Sequence, residues 1–355
     1  MRKGLVITSI LTVIVILCSF IPTAPSLRRI YSQPPDKWPA PSVEPGVKWI
    51  ELGVLPDSPL QPYADSLKHL IELGKTLFFD PRLSSSGKIS CATCHQPELS
   101  WTDGKERSVG HSGAVNKRNA PSIQNSWFYK KLFWDGRAKD LEDQAFAPIN
   151  SESEMHNDMH ELPRHLRQIK GYGKLFDSAY GDPGIEPDRI AGAIAAFERT
   201  VISRKSRFDE FLTGKKNALS NEELRGLHVF RTKAKCMNCH NGPLFSDNQF
   251  HKPIFGSSPR NPNDKGLYAV THDAADIDKF KTPSLRDVMK TGPWMHGGTE
   301  REMSIIIELY DKNSPTPFGS FQHLGLRGSD KKDLLAFLHA ISAPPVEFKK
   351  PVLPE

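Results

Sequence analysis

Two stretches of the chain repeat one arrangement of chemically capable residues: Cys91-Ala92-Thr93-Cys94-His95 and Cys236-Met237-Asn238-Cys239-His240. Two thiols three positions apart can form thioethers with the two vinyl groups of a single porphyrin. The histidine that follows at once reaches the iron from one face, so the spacing is the signature of a covalently attached c-type haem. Chance would produce the pattern roughly 0.003 times per chain, given 5 Cys and 13 His in 355 residues. A CxxC pair alone also suits a zinc knuckle or a redox dithiol, but the histidine after both pairs favours haem. Two covalent haems are therefore expected, with His95 and His240 as proximal iron ligands. The sixth position of each iron then decides the chemistry. An open position reacts with peroxide or oxygen, and a filled one transfers electrons.

The remainder of the composition is that of an ordinary soluble protein, 38% hydrophobic and 25% charged, long enough for about two domains. Four of the five cysteines belong to the haem motifs, which leaves no pair for a structural disulfide. The fifth, Cys18, reads as inert. The side chains carry a net charge of +6, and four ionised haem propionates would bring this to about +2. A basic face suits an acidic electron-donor protein and equally suits plain solvation. No Lys/Arg run interleaved with aromatics points to nucleic acid. Arg2, Lys3 and the uncharged stretch Leu5 to Ile21, 17 residues, make 1–22 an export signal, either a cleaved signal peptide or a retained membrane anchor. Either way the body of the protein is expected in the periplasm, free or tethered to the inner membrane.

Elements that would position the motifs follow in order. Residues 23–62 hold nine prolines and read as a linker or extended arm. Helical periodicity is expected over 64–79, 159–180, 187–203, 220–230, 300–310 and 329–341. Ser220 and Glu223 form a capping box. Residues 96–155 and 241–298 read as loop-rich, and no run of alternating strands appears. Helix, haem motif and long loop occur twice. Asn119-Ala120-Pro121-Ser122 and Lys281-Thr282-Pro283-Ser284 lie 162 residues apart, and Trp134 and Met295 lie 161 apart. The expected fold is mainly α, with two cytochrome c-like haem domains, long loops and a pseudo-twofold duplication. A first haem domain is expected over 63–205 and a second over 206–355.

The chain also resembles the bacterial dihaem cytochrome c peroxidase family, including its MauG-type branch, from about Leu73 to Ile341. The residues that carry the resemblance include Leu77-Phe78-Phe79-Asp80-Pro81-Arg82-Leu83, Ser108-Val109-Gly110-His111, Phe133-Trp134-Asp135-Gly136-Arg137-Ala138 and Glu154-Met155-His156. The resemblance implies that the N-terminal haem is the peroxidatic one and that hydrogen peroxide is the substrate. Glu154 matches the family's distal carboxylate, which moves a proton between the two peroxide oxygens. On its own it would read as a solvated acid. Gln144 matches a distal glutamine, and His111 a loop histidine that in many members ligates the resting peroxidatic iron. Trp134 matches the tryptophan between the haems, a stepping stone for electrons that also packs as an ordinary buried aromatic. Asn119, Thr291 and Pro293 match positions that bind a calcium ion through oxygen atoms. Family peroxidases are often dimers.

The sixth ligand of the second haem separates the branches. Met289, Met295, Met303, Tyr310, His251, His272 and His296 all offer suitable atoms, and the family's ligand position falls on Tyr310. Electron-transferring peroxidases use methionine there, and MauG-type enzymes use tyrosine. A phenolate is a hard anionic donor that stabilises ferric and higher states, whereas methionine raises the potential. His111 thus looks peroxidase-like and Tyr310 looks MauG-like. The leading expectation is a peroxidase fed by a small c-type cytochrome or cupredoxin. A second is oxidation of aromatic side chains on a partner protein. A third, from another class, is a non-enzymatic dihaem carrier or sensor, which needs both irons six-coordinate in every redox state.

Overall fold

A computed structural model describes residues 24–254, 256, 261–345 and 347–355. The expected export signal and Cys18 lie outside the described residues. Twelve α-helices run in chain order among the described residues: α1 (Ala24–Tyr31), α2 (Lys68–Phe79), α3 (Cys91–Cys94), α4 (Leu141–Asn150), α5 (Leu162–Arg167), α6 (Tyr172–Tyr180), α7 (Pro187–Glu198), α8 (Arg207–Leu212), α9 (Asn221–Arg231), α10 (Tyr268–Thr271), α11 (Met303–Asn313) and α12 (Gly328–Ala340). Among the described residues, sheet is confined to two small antiparallel pairs. In one, β1 (Phe250–His251) meets β2 (Phe280–Lys281); in the other, β3 (Ser314–Pro315) meets β4 (Phe321–Gln322). None of the described helices is long and apolar enough to cross a membrane.

Two helix crossings organise the chain. The apolar face of α2 packs on α7, and that of α9 packs on α12. Each crossing is closed by a glycine. A methyl group on Gly74 would lie 1.8 Å from the Ala193 carbonyl oxygen, and one on Gly226 would lie 1.9 Å from that of Asp333. Only a bare Cα permits backbones to approach so closely. An aromatic cluster fills the space beside each crossing. Phe78, Trp101 and Phe197 pack in the first, and Phe208, Phe230, Phe245 and Phe337 in the second.

The chain ends are crossed between these two cores. Leu27, Tyr31, Trp38 and Leu52 of the N-terminal arm are buried in the core around α9 and α12. The Arg231 guanidinium, fully buried, lies over the Tyr31 and Trp38 rings and pairs with Glu51. Conversely, the C-terminal residues return to the first core. Phe348 stacks on Phe79 with ring centres 5.5 Å apart, Lys350 pairs with Glu98, and Arg82 donates to the Pro354 carbonyl at 2.9 Å.

Several local differences from the sequence expectations have visible causes. The arm contains α1, because Leu27 and Tyr31 on one face find a core contributed by residues some 200 positions away. The expected helix over 159–180 is divided into α5 and α6. Gly171 stands at the break, where a methyl group would meet Pro354 at 2.5 Å, so the C-terminal tail crosses there. Helix α4 lies in a stretch that reads as loop. Its start is fixed by Asp140, whose carboxylate accepts the Asp143 amide at 2.8 Å, and Pro148 near its end weakens its periodic signal. The Ser220–Glu223 capping box is present, with the Glu223 carboxylate accepting the Ser220 amide at 2.7 Å. Replacing either crossing glycine by alanine forces the backbones apart. Gly226→Ala is expected to cost about 1–3 kcal/mol, measured as a lowered urea or thermal unfolding midpoint, whereas alanine at exposed Gly328, which has open space around it and no positive φ, meets no such clash.

Candidate functional site

The first haem motif opens on a short helix. Ser90 donates its amide to Thr93 Oγ1 at 3.0 Å, which starts α3 and sets Cys91 and Cys94 on one turn. His95 Nδ1 bonds to the Trp101 carbonyl at 3.1 Å, and His240 Nδ1 bonds to the Phe245 carbonyl at 2.9 Å. Both carbonyl residues carry a positive φ, 64° for Trp101 and 55° for Phe245, which turns the chain back toward its own histidine. Bulky residues rarely adopt this conformation. Burial lowers the pKa of both imidazoles, so each ring is neutral. With Nδ1–H donated to a carbonyl, Nε2 keeps its lone pair for a metal. All four motif thiols are free of disulfides, and burial holds them protonated, Cys94 being pushed up to about 11. Paired free thiols beside a metal-ready imidazole fit a haem at each motif.

A cavity adjoins each motif. The larger, about 270 Å³, is lined by Cys236, Cys239, His240, Tyr310 and Leu338 among others. The smaller, about 90 Å³, is lined by His95, Gln144, Trp134 and Glu198 among others. Gln144 reaches it from α4, one helical turn after Leu141, which lines the same cavity. Glu154 stands close enough to Cys91 and Cys94 for its charge to raise both thiols. Burial raises the pKa of its carboxyl, opposed by Arg137 and by a hydrogen bond from Asn116. His111 is held differently. Its amide donates to the Glu154 carbonyl at 2.8 Å, but its ring stacks on His156, with centres 4.5 Å apart and Nδ1 3.4 Å from Ser85 Oγ. It is therefore next to Glu154 and outside the lining of the His95 cavity.

Trp134 lines both cavities. Its indole N–H donates to the Asn119 carbonyl at 3.0 Å, and its own carbonyl accepts the Lys281 amide at 2.9 Å. The halves are tied around it by Arg118, which bonds Asp264 through two nitrogens and Asp135 through a third. Asn119, Thr291 and Pro293 all line the larger cavity. The Asn119 side-chain N–H groups donate to the Lys105 and Glu106 carbonyls at 2.9 and 3.3 Å, leaving Oδ1 as a free acceptor. That is the oxygen a calcium ion would use.

Of the sixth-ligand candidates, Tyr310, Met295, Met303, His251 and His296 line the larger cavity, while Met289 and His272 do not. Burial pushes the Tyr310 phenol well above its usual range, with the Cys239 and Cys236 thiols adding to the shift. Tyr310, in the last turn of α11, thus shares one cavity with the motif cysteines.

Sequence reasoning missed two polar groups at these cavities, buried Glu198 and half-buried Lys281, and offered a third, buried His296, only as a candidate iron ligand. Glu198 is 3% exposed, and its Oε2 has no hydrogen-bond partner. Burial pushes it up to about 8, with Arg199 opposing and Glu142 adding. His296 stacks on Phe280 at 3.8 Å and has an unpartnered Nε2; burial pushes it down to about 4. Lys281 lines both cavities. One signal was available for Glu198: it closes the apolar run Ile190–Phe197 of α7.

Comparison with known proteins agrees with this geometry. A family model described as di-haem cytochrome c peroxidase matches residues 68–217. The methylamine utilization protein MauG of Methylophilus methylotrophus is 36% identical over 306 residues, covering 84% of this chain and 90% of that protein. The cytochrome c551 peroxidase of Nitrosomonas europaea is 34% identical over 322 residues, covering 88% and 93%. The crystal structure of a MauG-like protein associated with microbial copper homeostasis superposes with a TM-score of 0.70 at 30% identity, covering 83% and 94%. If Tyr310 binds iron, Tyr310→Met converts the second haem to a His/Met type. Its midpoint potential rises and its visible and EPR spectra change, whereas an unchanged spectrum assigns that position to another residue.

Proposed function

Because the chain belongs to the di-haem cytochrome c peroxidase family, we propose that it is a c-type peroxidase that reduces hydrogen peroxide to water at the His95 haem. Electrons come through the His240 haem from an external c-type cytochrome or cupredoxin. The observation that carries this reading is the first haem motif itself, where a metal-ready imidazole and Gln144 line one cavity and the half-buried Glu154 carboxyl lies within charge range of Cys91 and Cys94. Haem iron, when bound, supplies the redox chemistry on the O–O bond. The rest falls to the chain. Glu154 takes a proton from one peroxide oxygen and returns it to the leaving oxygen, so that water departs. Gln144 orders the peroxide beside it. Trp134 bridges the two cavities as the path for electrons. Overall, one peroxide takes up two electrons and two protons and gives two waters.

Tyr310 favours a second reading. A phenolate on the second iron stabilises oxidised states and weakens the supply of electrons from a high-potential donor. In that version, oxidising equivalents are shared across both haems and withdrawn from aromatic side chains of a partner protein. We further infer two units, 63–205 and 206–355, each attaching one haem covalently through its CxxCH motif and related by duplication. The matched glycine crossings and matched carbonyl–histidine bonds support this. Calcium at Asn119, Thr291 and Pro293 would join the units. The basic, apolar start of the chain supports export to the periplasm.

Steady-state peroxide turnover with reduced cytochrome c separates the versions. Rapid oxidation of the cytochrome supports the peroxidase, and a negligible rate with oxidising equivalents retained long after peroxide addition supports the second reading. Glu154→Gln is expected to keep both haems and slow the peroxide reaction by about 10²–10⁴. As a base, Glu154 works only when deprotonated, so activity falls as pH drops through its pKa. Because burial raises that pKa, the acid limb lies above the ordinary glutamate range, and a pH profile of the variant should lack it.

A further inference from the structure

The segment that joins the two halves carries a cation that pairs with no anion among the described residues. Lys281 lies on β2 opposite Phe250, and its amide is held by the Trp134 carbonyl at 2.9 Å. The residue lines both cavities, as does Tyr129, on whose ring its side chain rests. The ammonium rests 3.2 Å from the centre of the Tyr129 ring, and burial alone pushes it down to about 7, with no charged neighbour contributing. The arginines of this region are treated otherwise. Arg118 is matched by Asp135 and Asp264, and Arg286 by Asp209. Removing an ammonium from water costs several kcal/mol, and an aromatic face returns about 2 at most. Such a lysine is completed by an anion that arrives with a ligand. The repeat sharpens the contrast. Asn119 holds the corresponding place before the first Pro-Ser pair and spends its N–H groups on backbone carbonyls.

Each haem brings two propionate carboxylates, the one kind of anion that both cavities would receive. We propose that Lys281 is a haem-binding residue whose ammonium pairs with a propionate carboxylate where the two cavities adjoin. The proposal rests on the dihaem reading above. A cation paired there cancels negative charge near the iron and favours the ferrous state, so it raises the potential of the haem it touches. Because the same residue's amide holds the Trp134 carbonyl, one residue would fix both the propionate and the tryptophan between the haems.

The test compares wild-type holoprotein with Lys281→Met and Lys281→Arg. A pyridine haemochrome assay first counts haems per chain. Redox titration followed by optical and EPR spectra then gives each midpoint potential, and resonance Raman spectra report the propionate-bending bands. Lys281→Met should retain two haems and lower the potential of the paired haem by about 59 mV, a tenfold change in the one-electron equilibrium. Propionate bands should shift with it, and Lys281→Arg should restore both. A shift in the first haem, the second, or both assigns the propionate to the corresponding cavity or to each. Unmoved potentials and bands would overturn the proposal. So would a shifted potential with unmoved bands, since the lysine would then act at a distance. If Lys281→Met does not accumulate, Lys281→Gln serves as the neutral replacement. Fewer than two haems in the wild type would overturn the dihaem reading instead, which keeps the two failures apart.

Discussion

Gly74 meets the carbonyl of Ala193, and Gly226 meets that of Asp333, at distances that leave no room for a side chain. Everything at the two cavities hangs from these contacts. They hold α2 against α7 and α9 against α12, and the aromatic rings beside each crossing can then close over the motif histidine. Phe78 lies near His95, and the Trp101 ring that packs on Phe78 and Phe197 belongs to the residue whose carbonyl takes the His95 proton. In the second half Phe245 plays both parts, packing on Phe208 and Phe230 while its carbonyl takes the His240 proton. Hydrophobic packing and imidazole orientation are therefore one constraint. A ring displaced by a loosened crossing also moves the carbonyl that fixes the tautomer.

The two halves are held together by more than their facing surfaces. The N-terminal arm is buried in the second core and the C-terminal tail lies on the first. Each core thus contains chain from the far end of the sequence. At the interface, Gly136 at φ 74° accepts the Phe250 ring, and Gly298 at φ 64° accepts the Glu106 backbone. Both glycines lie in the two loops that carry Trp134 and His296. The approach of the halves is thereby fixed to within the thickness of a methyl group at the place where electrons would cross.

Local signals account for most of what could be read from the sequence. The haem motifs, the helix from 220 and the closing helix at 329–341 rest on spacing, capping and periodicity within one stretch. What escaped depends on distant chain. Helix α1 reads as a proline-rich arm because its core lies near α9. The helix expected over 159–180 is broken because the C-terminus crosses at Gly171. At the site, Gln144 and Trp134 line the His95 cavity, and Tyr310 lines the His240 cavity. His111 and Glu154 are outside the lining of the His95 cavity, His111 stacked on His156 and Glu154 within charge range of Cys91 and Cys94. Glu198 gave no motif and Lys281 only a place in the repeat, since a charge at the end of an apolar helix or beside Thr-Pro reads as solvated until the fold encloses it.

The crossings also supply a register that compares the two sites residue by residue. Setting Ala193 against Asp333 sets Glu198 against Leu338, five positions on in each helix, and both line their cavities. The repeat likewise sets Asn119 against Lys281 and Trp134 against Met295. Where the second site has an aliphatic side chain, the first has a buried carboxyl, joined by Gln144 and by Glu154 at the same motif. A site that breaks peroxide must hold and release protons while excluding bulk water, and carboxyls with raised pKa values suit that work. A site that only exchanges electrons is better served by apolar walls and a fixed ligand, which keep charge changes small and reorganisation low. The shared scaffold explains why both sites accept haem. The few positions at which they differ explain why, on the proposed reading, only one of them would turn over peroxide.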